Sequence, residues 1–166
     1  MAKLSDTYNE IRHSIVAVAS RVSKNPDFPE ILGTGFIVHD QGIIFTCGHV
    51  INAINRLPRR KGAPSEECPA LVILFQNIPG KGMATIPMNI VGAGGISAMK
   101  TGEYYYGPKV ADIGFIVVNI VNLIPLDLTP KLKFREGDSI AIAGFPFYID
   151  ACVIPCQRIF EQFIVG

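Results

Sequence analysis

Charge is scarce in this chain. Only 17% of its 166 residues are Asp, Glu, Lys or Arg, and 15 basic side chains stand against 14 acidic ones for a net charge of +1. So balanced a composition offers no broad attraction to nucleic acid or to anionic lipid, and neither is expected as a partner. Long apolar runs are missing too. The run IVAVA near the N-terminus is far too short for a signal-peptide core or a membrane span. A cytoplasmic chain without membrane attachment is the expectation. There is no internal repeat and no low-complexity tract.

What is abundant is apolar. Hydrophobic residues make up 49% of the chain and the mean hydropathy is +0.34, well inside the globular range. The length suits one domain, or one domain and part of another. The four cysteines, Cys47, Cys68, Cys152 and Cys156, would allow three disulfide connectivities in a secreted chain. In a reducing compartment they read as free thiols. The single basic cluster, RLPRRK at 56–61, keeps company with Pro58, Gly62 and Pro64 and reads as a solvated turn rather than a phosphate site.

Short segments rich in Ile, Val and Phe recur between turn residues: SIVAVASR at 14–21, GTGFIVH at 33–39, GIIFT at 42–46, ALVILFQ at 70–76, TIPMNIVGA at 85–93, DIGFIVV at 112–118, DSIAIAG at 138–144 and RIFEQFIV at 158–165. The pattern predicts an all-β fold, a sandwich or a barrel. Two helical pieces accompany it. Thr7 and Glu10 have the spacing of a capping box, which predicts a short N-terminal helix. Val50, Ala53, Ile54 and Leu57 recur at helical spacing until Pro58, which places His49 in the first turn of a second helix. The stretches 55–69 and 96–109 show no clear strand pattern. The second holds three adjacent tyrosines, Tyr104 to Tyr106, that read as loop packing.

The histidines are three, His13, His39 and His49, and only His49 sits at a strand-to-helix corner. Asp112 opens a strongly apolar strand, where a carboxylate is costly to bury without a hydrogen-bond partner. An aspartate accepting from an imidazole orients the ring and leaves the other ring nitrogen free as a base. His13 and His39 lack such a setting and read as surface residues. Gly33 and Gly35 read as places of tight backbone passage in a strand.

Four segments in order sharpen this pairing: GTGFIV at 33–38, GIIFTCGHVI at 42–51, ADIGFIVV at 111–118 and GDSIAIAGFPF at 137–147. The series resembles the opening two-thirds of a trypsin-like serine protease of the HtrA/Deg-type branch. That resemblance implies an antiparallel β-barrel fold, with His49 and Asp112 as the catalytic histidine and aspartate and a polypeptide as substrate. It also implies that no cofactor or metal is needed. It divides the chain into an N-terminal extension at 1–13, a complete first six-stranded barrel at 14–130, and a linker with the opening strands of an incomplete second barrel at 131–166.

The sequence departs from the family in one respect. The nucleophile of such proteases lies in a GNSGGP-like loop, and none of the seven serines, Ser5, Ser14, Ser20, Ser23, Ser65, Ser97 and Ser139, stands in one. By itself the polypeptide is therefore expected to be inactive, and unpaired second-barrel strands are expected to favour self-association. Cys152 or Cys156 as substitute nucleophile, and Cys47 joined to them as a zinc site, are weaker readings because their flanks match neither pattern. The alternative from another class is a non-catalytic barrel that binds a peptide or protein by strand addition.

Overall fold

The computed structural model describes residues 4–22, 29–78, 82–97, 111–128 and 143–145. Its elements are α1 (Leu4–Ile11), β1 (Ile15–Ser20), β2 (Ile31–His39), β3 (Ile43–Thr46), α2 (Gly48–Arg56), β4 (Ala70–Ile78), β5 (Gly82–Ser97) and β6 (Asp112–Val118). The first helix begins before Thr7, so that residue lies inside the helix rather than at its cap. The remaining strands expected from sequence, at 138–144 and 158–165, lie outside the described residues apart from Ala143 and Gly144, which form no strand. The tyrosine run, Cys152, Cys156 and the expected self-association through the second-barrel strands also fall outside them.

All six strands pair antiparallel and close a barrel in the order β1-β2-β3-β6-β5-β4. Two three-strand meanders, β1 to β3 and β4 to β6, are thus joined edge to edge. Inward positions alternate along each strand, as a pleat requires, and Val16, Val18, Ile44, Val72, Met88 and Ile116 fill the interior with almost no exposure. Because closure pairs each strand on both sides for part of its length, no strand among the described residues keeps a whole free edge. The longest stretch paired on one side only is the first half of β5, where residues 82–89 pair with β4 and pairing with β6 begins at Ile90.

One strand is too short for its neighbours, and this shapes the site. β3 has four residues, and its last, Thr46, pairs with Gly35 and Gly114. β2 runs on through Ile31 to Thr34, and β6 through Asp112 and Ile113, with no β3 backbone between them. The chain leaves β3 at Cys47 and enters α2, which fills this notch. Val50, Ile51 and Ile54 point into the barrel core. Glycine makes the approach possible: a Cβ at position 33 would lie 2.5 Å from Val50 Cγ2, and one at position 114 would lie 2.5 Å from Ile51 Cγ1 and 3.0 Å from the Cys47 carbonyl.

β1 is buried on both faces. Its outward residues Ala17 and Ala19 are covered by Ile31, Ile73 and Phe145, the last stacked on Phe75 at 5.3 Å between ring centres. The Phe145 amide donates to Thr34 Oγ1 at 2.6 Å, while the Thr34 carbonyl accepts from Thr46 Oγ1 at 2.7 Å. Residues 143–145 are thereby fastened to the outside of the barrel. Thr34→Val keeps the shape and removes the acceptor, which leaves a part-buried amide unpaired at a cost of about 1–2 kcal/mol. Hydrogen exchange at the Phe145 amide is expected to speed up while exchange in β1 to β6 stays unchanged. Equal protection in both proteins would show that the bond holds nothing in place.

Candidate active site

Cys47 is the hinge between β3 and α2. It occupies the N-cap of the helix, yet its side chain makes no capping hydrogen bond. A thiol is a poor substitute for the oxygen that Ser, Thr, Asp or Asn would offer to the free amides of the first turn. The missing acceptor comes from the neighbouring strand. Asp112, the first residue of β6, directs Oδ1 at the backbone amide of His49, 2.8 Å away. Its other oxygen, Oδ2, lies 2.7 Å from His49 Nδ1.

A single carboxylate therefore caps α2 and holds the imidazole. An ionised carboxylate only accepts, so in the neutral ring the proton sits on Nδ1 and Nε2 carries the lone pair. No described residue bonds Nε2, and the His49 side chain is 54% exposed against 20% for Asp112. The pair thus has a sheltered oxygen end and an open nitrogen end. The negative charge also lies at the N-terminus of a helix, where the peptide dipoles favour it.

Cys47 completes the cluster. One ligand-type atom from each of Cys47, His49 and Asp112 lies within 4.8 Å of the others. Burial of the thiol, and next the charge of Asp112, push its pKa above the ordinary cysteine value. This thiol is therefore held in its protonated form and is a poor nucleophile.

Both residues singled out from sequence, His49 and Asp112, are brought together. Cys47 was not recognised as their neighbour, although its place two residues before His49 was the available signal. Of the other histidines, His39 is exposed and pairs with Asp40, and His13 is half-buried at the turn after α1. Cys47 and Cys68 are both free thiols. In the loop after α2, Arg60 pairs with Glu67 and Arg59 donates to the Ser65 carbonyl, so two of its arginines are engaged within the loop. A pocket lined by Ile54, Leu57, Arg59, Glu67, Cys68 and Ile90 lies at the C-terminal end of α2 and includes neither His49 nor Asp112. No helix among the described residues is long and apolar enough to cross a membrane. No family model and no curated protein matches this chain.

Proposed function

We propose that this chain supplies the general base and its orienting carboxylate to a serine endopeptidase, with a polypeptide as substrate and the nucleophilic serine contributed from outside these 166 residues. The observation that carries the reading is the two-point hold of Asp112 on His49, through the amide and Nδ1 together, on a half-exposed ring whose Nε2 no described residue bonds. A surface histidine needs no such arrangement. The motif order and the closed six-stranded barrel agree with a trypsin-like protease, and the HtrA/Deg-type branch is the one that the GTGF and TCGHV segments resemble.

Each group then has a definite task. His49 Nε2 takes the proton of the serine Oγ as that oxygen attacks the scissile carbonyl. The imidazolium formed is stabilised by Asp112, which stays ionised. The same nitrogen returns the proton to the leaving amine, and an acyl-enzyme remains. Water repeats the sequence on the ester.

A fluorophosphonate probe tests this, because it bonds to a serine oxygen only where a base activates it. The 166-residue chain alone is expected to stay unlabelled. A polypeptide that continues this sequence through a GNSGGP-like loop is expected to label on that loop's serine, and His49→Ala is expected to abolish the reaction. Labelling of the isolated chain would reveal a nucleophile among its own seven serines. Equal labelling after His49→Ala would remove His49 from the mechanism.

A further inference from the structure

We propose that Cys47, His49 and Asp112 together form a binding site for a thiophilic divalent cation of the zinc type. A thiol, an imidazole and a carboxylate each offer one ligand atom, and the three atoms lie within 4.8 Å of one another. The backbone holds all three donors on regular structure: the N-cap of α2, its first turn, and the first residue of β6. Nitrogen, sulfur and a single oxygen select zinc-like ions over magnesium or calcium, which prefer all-oxygen shells.

Charge balance favours the cation. With the thiol ionised, thiolate and carboxylate carry two negative charges, and a divalent ion beside a neutral imidazole makes the cluster neutral. The N-terminus of α2 opposes this with roughly half a positive charge. Two full charges at bonding distance outweigh it.

The geometry needs only a small adjustment. Tetrahedral ligands at zinc-like bond lengths stand about 3.3–3.8 Å apart, whereas Nδ1 and Oδ2 are now 2.7 Å apart around a shared proton. A cation coordinated through Nδ1 replaces that proton and spreads the pair, while the bond from the His49 amide to Oδ1 keeps Asp112 anchored. Three protein ligands leave a fourth position for water, as in open zinc sites. A cation so held removes the proton that fixes the tautomer and ties up the ring, so occupancy and general-base action exclude each other. That block rests on the endopeptidase reading; the cation site itself does not.

Cobalt(II) added to the purified, reduced chain tests the site without any activity. One equivalent is expected to give tetrahedral d–d bands and a thiolate-to-cobalt charge-transfer band, displaced by zinc(II) and not by magnesium(II). Cys47→Ser is expected to remove the charge-transfer band and to weaken binding about tenfold or more. Cys68→Ser is expected to change neither. Should Cys47→Ser fold poorly, Cys47→Ala, which removes the donor without adding a polar group, serves the same purpose. Absence of tetrahedral bands, or a charge-transfer band that survives loss of the Cys47 thiol, overturns the proposal.

Discussion

Asp112→Asn is expected to move the proton of His49 from one ring nitrogen to the other. The variant has one acceptor and one donor where the carboxylate had two acceptors. The His49 amide can only donate, so the asparagine oxygen must face it, as Oδ1 does now. The side-chain NH2 is then left facing Nδ1, which must accept, and the neutral ring must carry its proton on Nε2. In that tautomer the open nitrogen has no lone pair for a serine proton. Hydrolysis by a complete enzyme built on this barrel would fall by about 10⁴-fold, as such substitutions do in serine triads. The fold would lose little, because the cap on α2 survives. Nitrogen-15 NMR of the imidazole reads the switch directly in the isolated chain. Protonation on Nδ1 in both proteins would show that Asp112 does not set the tautomer.

Ile51→Ala is expected to be the most damaging substitution for the architecture of the site. Ile51 is 4% exposed and lies over the two glycines that leave room for it, close to where a Cβ of Gly95 or Gly114 would stand. Truncation leaves a void between α2 and the barrel that the closed sheet cannot collapse to fill. Buried Ile→Ala changes cost about 2–5 kcal/mol, which corresponds to a drop in melting temperature on the order of 10 °C for a domain of this size. Ile96→Ala, on a residue that is 69% exposed, serves as the control and is expected to shift stability by less than about 0.5 kcal/mol. Loosening α2 also frees the His49 amide from Asp112, so its hydrogen exchange is expected to rise. Equal melting of the two variants would mean that α2 is not held by this contact.

The strands were legible where β-branched residues are dense. The expected segment at 112–118 coincides with β6, and β1, β3 and β4 differ from their expected spans only by a residue or two at the ends. β5 was read too short, because Gly92, Gly94 and Gly95 look like a break in a strand pattern. Pairing with β6 keeps these residues extended, Gly94 opposite Phe115 and Gly95 opposite Gly114, and the missing side chain of Gly95 makes room for Ile51. Local sequence could not show this, since a side chain at Gly94 would meet the Phe115 ring of another strand and one at Gly95 would meet Ile51, in a helix some forty residues earlier in the chain.

The candidate site was legible by a different route. Nothing in the neighbourhood of Asp112 points to His49; resemblance of ordered motifs linked them, and the geometry of the barrel mouth explains why they meet. Ile51 escaped the helical pattern because α2 enters a notch rather than lying on a flat sheet, so adjacent residues Val50 and Ile51 are both buried. The part played by Asp112 as a cap was hidden for a simpler reason. Capping is usually sought within a few residues of the helix start, and here the acceptor comes from another strand.

That shared carboxylate has an entropic consequence. A ring held by one hydrogen bond can still swivel about its Cα–Cβ bond, and its placement would have to be fixed anew at each encounter with a substrate. When one oxygen grips the backbone of the same residue and the other grips the ring, distance and rotation are set together. The rotamer is chosen as the barrel closes, so in the proposed endopeptidase the freedom that reaction would otherwise remove has already gone during folding. His49 meets any incoming group already aimed.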